Sequence, residues 1–148
     1  MNENGYRVIV GGINANTVIV NKDGVILAVN QPWIDFGLRN DAVEPSRWVG
    51  KCYFDGIDYH HFDDDAKAAV NGLQAVLDGQ TSEFLCNYPC HSTEHKRWFH
   101  MVARRVGPMG DVLVCHHDRT LVARTQLLVH AATQMARRRP KPDNLRAL

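Results

Sequence analysis

The chain has 148 residues, 45% of them hydrophobic and 22% charged, with a formal net charge of +1. That is the size of one domain at roughly 150 residues per domain, and burial of roughly 68–70% of the unfolded surface allows a core without disulfide or metal staples. Long disorder, collagen and a disulfide scaffold are poor fits. No apolar run approaches the ~20 residues a bilayer needs, nothing at the start resembles a signal peptide, and the few cysteines suit a reducing compartment, so a cytoplasmic protein is expected.

Residues 6–13, with Val8, Ile9 and Val10 ahead of Gly11-Gly12, read as an extra strand or as a short flanking element. Thr17–Val20 and Val25–Val29 are rich in β-branched residues, and Asn21-Lys22-Asp23-Gly24 between them carries turn chemistry, so a β-hairpin is expected. Pro32 suits a first helical turn, and Trp33 and Phe36 follow at helical spacing up to Arg39. Asn40 to Gly50 reads as loop. Asp63, Asp64 and Asp65 place carboxylates at the positive end of a helix, and Ala66, Val70, Leu73 and Leu77 form one apolar stripe that stops at Gly79.

Strands are expected over about 82–88, 97–106 and 111–117, the last two joined by Gly107-Pro108-Met109-Gly110. A helix follows from Arg119 to about Arg138. Its Leu121, Thr125, Leu128, Ala132 and Met135 recur at a/d heptad spacing, and Pro140 and Pro142 end it. Two strands, short helices, a longer helix, three strands and an exiting helix make an α+β fold: a five-stranded antiparallel sheet with helices on one face and a C-terminal exit helix. The expected divisions are a flank over residues 1–13, a domain over 14–120, and a linker helix with tail over 121–148.

Charge is uneven. Residues 1–120 carry 11 Lys/Arg against 15 Asp/Glu, and residues 121–148 carry 6 against 1. A basic tail suits an acidic partner or nucleic acid. A solvated helix end, with Arg137, Arg138 and Arg139 complementing the helix dipole, is the simpler reading, so nucleic acid is not an expected partner.

The order of elements, together with particular residues, resembles the PAS domains of bacterial sensor proteins. The matching pieces are Asp23-Gly24-Val25-Ile26-Leu27-Ala28-Val29-Asn30, then Trp33 and Phe36, then Val49-Gly50 before Tyr53. Ala75-Val76-Leu77 with Gly79 closes the long helix. Tyr88-Pro89-Cys90-His91-Ser92 runs into Arg97-Trp98-Phe99, similar to a PAS subgroup attached to sensor kinases and cyclases, and His117-Asp118-Arg119-Thr120 looks like the Asp-x-Thr signature ending the last PAS strand. The resemblance covers about residues 14–125. It implies a pocket between sheet and helices, homodimerisation through flanking helices, and relay to a downstream output domain or partner. The lack of an apolar span makes membrane association unexpected, and the few residues after 125 make a catalytic core unexpected. The resemblance names no ligand, because this fold hosts many ligands or none. If one binds, Trp33, Phe36, Phe54, Tyr88, Phe99 and Met101 are the expected pocket residues.

Several clusters carry competing readings. Cys86, Cys90, His91 and His95 suit a zinc site or a variant haem attachment, making a haem- or metal-binding redox or gas sensor the alternative function. Structural residues of a hairpin are the simpler account. In the pairs His60-His61 and His116-His117 only one imidazole of each can face inward on a strand, where it could ligate haem iron. Cys52 lacks the neighbours of a flavin-adduct cysteine. Trp33, Trp48 and Trp98 suit core, sheet surface or pocket. Asp118 and Thr120 at a strand-to-helix junction suit a helix cap that fixes the angle of the exit helix, and so a signal junction.

Overall fold

The computed structural model describes residues 2–40, 48–55, 63–91 and 94–138. His60, His61, Ser92, Arg139, Pro140 and Pro142 lie outside the described residues. In chain order the elements are α1 (Glu3–Gly11), β1 (Asn16–Val20), β2 (Ile26–Val29), α2 (Gln31–Arg39), α3 (Asp64–Leu77), β3 (Glu83–Pro89), β4 (Trp98–Val106), β5 (Asp111–Asp118) and α4 (Thr120–Arg138). The five strands form one antiparallel sheet in the order β2-β1-β5-β4-β3. The expected five-stranded antiparallel sheet is present.

The hairpin turn is held by Asn21, whose Oδ1 accepts the amides of Asp23 and Val25, with Gly24 at φ 79°. A bulge then shifts the register between Ile19 and Val20, pairing Val18 with Val29 but Val20 with Ile26. One strand gains a residue there, so Ile26 and Val29, three apart, point to the same side. The free edge of β2 is covered by the 48–55 segment: Ile26 N donates to Lys51 O, Gly50 N to Ile26 O and Tyr53 N to Gly24 O. Trp48 and Tyr53 are thereby brought over the sheet.

On that face lie Val18, Val20, Met101, Ala103, Val112 and Val114, packed under Leu73, Val76 and Leu77 of α3. The helix begins at Asp63, whose carboxylate accepts from Ala66 N. Its buried stripe is Ala69, Leu73, Val76 and Leu77 rather than the expected Ala66, Val70, Leu73 and Leu77; Ala66 and Val70 are half-buried. The Phe84 ring lies so close over Gly72 that a Cβ there would come within 2.2 Å of it.

The open reading of residues 6–13 resolves to a helix over most of that stretch, α1. Asn2 caps it by accepting from Gly5 N, and Tyr6 and Val10, one turn apart, bury against Ile19 and Ala28 on the reverse face of the sheet. Burial of one side therefore overrides the strand preference of Val8, Ile9 and Val10. The helices are consequently not all on one face: α2 and α3 share the principal core, while α1 covers a second, smaller one. The Tyr6 hydroxyl donates to the buried Asp111 carboxylate at the start of β5, and this bond pushes the phenol up to about 12.

Asn30 ties α1, β1 and α2 together. It is 3% exposed, its Oδ1 accepts from Thr17 N and Trp33 N, and its Nδ2 donates to the carbonyls of Val10, Ile13 and Ala15. It is also the N-cap of α2. The position of Trp33 is thus fixed by a side chain whose donors and acceptor are all used.

Candidate functional site

A cavity of about 310 Å³ opens between α2, the 48–55 segment and the sheet. Its walls include Trp33, Phe36, Trp48, Tyr53, Tyr88, Phe99 and His116, with Asn16, Gly37, Asn40 and Cys90 completing the lining. The sheet supplies the floor through strand alternation. Phe99 and Met101 on β4, Cys86 and Tyr88 on β3, and Val114 and His116 on β5 all point to the α2/α3 side. The rings pack edge to face, as their quadrupoles favour: Trp33 on Trp48 at 5.8 Å between centroids, and Phe36 on Phe99 at 5.6 Å.

The polar centre is a three-residue chain. His116 Nε2 lies 3.0 Å from the Tyr53 hydroxyl and Nδ1 lies 2.7 Å from the Tyr88 hydroxyl. Burial, and secondarily the neighbouring His117, lowers the imidazole from 6.5 to about 4, so it is uncharged at neutral pH. Burial also pushes both phenols up, so both hydroxyls keep their protons. A neutral imidazole offers one N–H and one acceptor nitrogen. One tyrosine therefore donates to it and the other accepts from it.

Other buried donors surround this chain. The indole N–H groups of Trp33 and Trp48 and the Nε of Arg97 are buried with no hydrogen-bond partner among the described residues. The Arg97 guanidinium lies 5.4 Å over the Phe36 ring and donates to Asn40 Oδ1 at 2.8 Å.

Of the six residues expected in a pocket, Trp33, Phe36, Tyr88 and Phe99 line the cavity. Met101 does not; it is 3% exposed within the core beneath. Phe54 packs on Tyr53 and Gly24 instead. Of the three tryptophans, Trp33 and Trp48 reach the cavity, whereas Trp98 stacks edge-on against His91 at 5.1 Å. His116 is the inward member of its pair and His117 is exposed. Sequence reasoning gave no cavity role to Tyr53, Asn16, Gly37, Asn40 or Cys90. Tyr53 was visible only as part of the resemblance, because its placement depends on the backbone bonds of Gly50 and Lys51 to Ile26.

Cys86, Cys90, His91 and His95 are not drawn together as ligands. Cys90 lines the cavity, Cys86 faces the core near Tyr53, and His91 Nδ1 accepts from Arg97 N at 3.0 Å. His95 is exposed. Among the described residues no three His, Cys, Asp or Glu side chains form a group able to hold a metal. Burial pushes the Cys86 and Cys90 thiols up, away from the thiolate that zinc takes. His116 already uses both ring nitrogens, and a cavity of about twice the ~150 Å³ that holds benzene is too small for a haem macrocycle.

At the far end of β5, the Asp118 carboxylate accepts from Thr120 N at 2.9 Å, capping α4. Thr120 plays a different part from the expected one. Its hydroxyl accepts from Trp98 N, and Arg119 N donates to Trp98 O, so the start of α4 is pinned to β4. Asp118 lies two residues beyond His116 and lines a second groove of about 250 Å³ that shares Asn16, Phe36, Phe99 and His116 with the cavity.

No family model matches the chain. It is 32% identical over 124 residues to an uncharacterized 104.1 kDa protein in the hypE 3' region of Rhodobacter capsulatus, covering 77% of this chain but only 12% of that protein. Solved structures of similar fold include the following three. The PAS domain of Bordetella pertussis BvgS superposes with a TM-score of 0.54 at 13% identity, over 88% of this chain and 96% of that one. The photoactive yellow protein domain of the sensor histidine kinase Ppr from Rhodospirillum centenum gives 0.54 at 11%, over 75% and 91%. An RNA-binding light-oxygen-voltage receptor gives 0.58 at 14%, over 90% of this chain and 37% of that one. The chain has the PAS fold.

Proposed function

We propose that this chain is a sensory module: a small molecule occupies the aromatic cavity, and β5 relays its presence to α4. One observation carries the reading. A single strand supplies both His116 in the cavity wall and, two residues later, Asp118 at the helix junction. A ligand that displaces the Tyr53–His116–Tyr88 chain acts on the strand that also positions the α4 cap. Strand and helix are firmly joined there, so a small shift at the cavity is carried to the helix axis instead of being absorbed in a loop.

The proposal includes a homodimer through α4 and a downstream output domain or partner protein. Supporting it, Leu121, Leu128 and Met135 are 79%, 72% and 70% exposed on a helix that leaves the domain. The module is read as non-enzymatic. The four free thiols suit the reducing cytoplasm.

Native mass spectrometry of gently purified protein tests the reading. The wild type is expected to carry or take up a small molecule that Cys90→Trp, which fills the cavity rim, does not. A molecule retained equally by both proteins contradicts it.

A further inference from the structure

We propose that the cavity selects flat aromatic molecules of about two rings that present an acceptor oxygen, a carbonyl or carboxylate, to its walls. The inference rests on the reading of the cavity as a ligand site and adds the class of ligand.

Size and shape come first. A cavity of about 150 Å³ accommodates benzene. The 310 Å³ here is about twice that. Its walls are the faces and edges of seven rings, those of Trp33, Phe36, Trp48, Tyr53, Tyr88, Phe99 and His116. Such walls favour a planar aromatic guest, which stacks offset or edge-on against them.

Hydrogen-bond capacity then sets the polarity of the guest. In the Tyr53–His116–Tyr88 chain there are two hydroxyl protons and one imidazole proton, but only two contacts. Each contact consumes one proton, so one phenol O–H remains unspent. If Nε2 carries the imidazole proton, the unspent hydroxyl belongs to Tyr53; if Nδ1 carries it, to Tyr88. Neither hydroxyl has a further partner among the described residues.

The same surplus recurs in the walls. Trp33 and Trp48, whose rings line the cavity, each carry a buried indole N–H with no acceptor among the described residues. Among the described residues no carboxylate lines the cavity. The Asn40 amide is already used, donating to Phe36 O and accepting from Arg97. The adjacent Arg97 adds positive charge and a further donor unpaired among the described residues. Leaving a buried donor unpaired is costly, so a guest that brings acceptors gains where an apolar isostere does not.

Isothermal titration calorimetry with acetylnaphthalene and ethylnaphthalene, substituted at the same ring carbon, isolates this effect, because the two differ only in C=O against CH₂. Naphthoate forms the third arm. The oxygen compounds are expected to bind roughly tenfold or more tightly than ethylnaphthalene, the factor that about 1.4 kcal/mol of recovered hydrogen bonding gives. Tighter binding of naphthoate assigns a carboxylic acid, and tighter binding of the ketone assigns a neutral carbonyl compound; either supports the inference.

Location is checked by loss of binding in Cys90→Trp and, independently of that variant's folding, by a shift of the His116 imidazole resonances. If ethylnaphthalene binds in the cavity as tightly as both oxygen compounds, acceptor selection is overturned while the cavity stands as a ligand site. If none of the three binds, the assignment of an aromatic acceptor-bearing ligand falls while the cavity reading answers to the mass spectrometry; if binding leaves His116 unshifted and persists in a folded Cys90→Trp, both readings fall.

Discussion

Tyr88 holds His116 by a 2.7 Å contact from its hydroxyl to Nδ1, and the imidazole is kept uncharged with a pKa of about 4. An unfolded histidine titrates near 6.5, so between these values the unfolded chain binds a proton that the folded chain lacks. Stability therefore falls as the pH drops below about 6.5, and the loss is complete below about pH 4, amounting to about 3 kcal/mol at 1.36 kcal/mol per pKa unit. Urea unfolding from pH 7.5 to pH 4, on this ~1.4 kcal/mol-per-unit scale, is expected to show this slope, and His116→Gln to flatten it. Equal slopes in the two proteins would assign the acid sensitivity elsewhere.

Asn30→Ala is expected to destabilise the fold by at least about 2 kcal/mol, because it removes the α2 cap and leaves the carbonyls of Val10 and Ile13 and the amide of Trp33 without that partner. Asn30→Asp keeps both accepted bonds but sets a carboxylate oxygen against the carbonyls of Val10, Ile13 and Ala15 in a buried site, so it should cost at least as much as Asn30→Ala in the same urea measurement.

Gly72→Ala sets propensity against packing. Alanine in a helix interior is favoured by about 1 kcal/mol over glycine. Here its Cβ meets the Phe84 ring at 2.2 Å, so a net loss of about 1–3 kcal/mol is expected. In the background of Phe84→Leu the same change should become neutral or stabilising. A double-mutant cycle reads this directly.

For α4, sedimentation across a concentration series compares the wild type with Leu128→Glu. Full burial of Leu121, Leu128 and Met135 contributes about 1.5–3 kcal/mol per side chain, which the cost of association largely offsets. A weak wild-type dimer and a monomeric variant are expected. Two monomers, or two equal dimers, would remove α4 as the seam. Asp118→Ala should separately cost about 0.5–2 kcal/mol through its lost cap.

The strands and helices were largely legible because their signals are local. Asn21 to Gly24 spells its own turn, and Asp63 and Asn30 sit where caps are needed. What stayed hidden depends on tertiary contact. The helix at Tyr6 and Val10 exists against Ile19 and Ala28, and nothing in Val8-Ile9-Val10 announces that burial. The buried α3 stripe lies beside a close approach of Phe84 to Gly72, a pairing distant in sequence. The cavity was half legible: Trp33, Phe36, Tyr88 and Phe99 were named as aromatic residues on the expected face. The Tyr53–His116–Tyr88 chain was not, since it joins three separate segments whose register only the folded sheet sets.

The central claim is that the state of the cavity is felt at the start of α4. Amide hydrogen exchange at Thr120 and Ala123, measured by NMR with and without saturating acetylnaphthalene or naphthoate, tests it most directly. Thr120 N is held by Asp118 and Ala123 N by Arg119 O, so both report the junction. The account predicts that exchange there changes on binding, together with the His116 resonances, while the amides of Tyr6 and Val10 under the opposite face stay as they were. A ligand that shifts His116 and leaves Thr120 and Ala123 exchanging at their original rates would contradict the account.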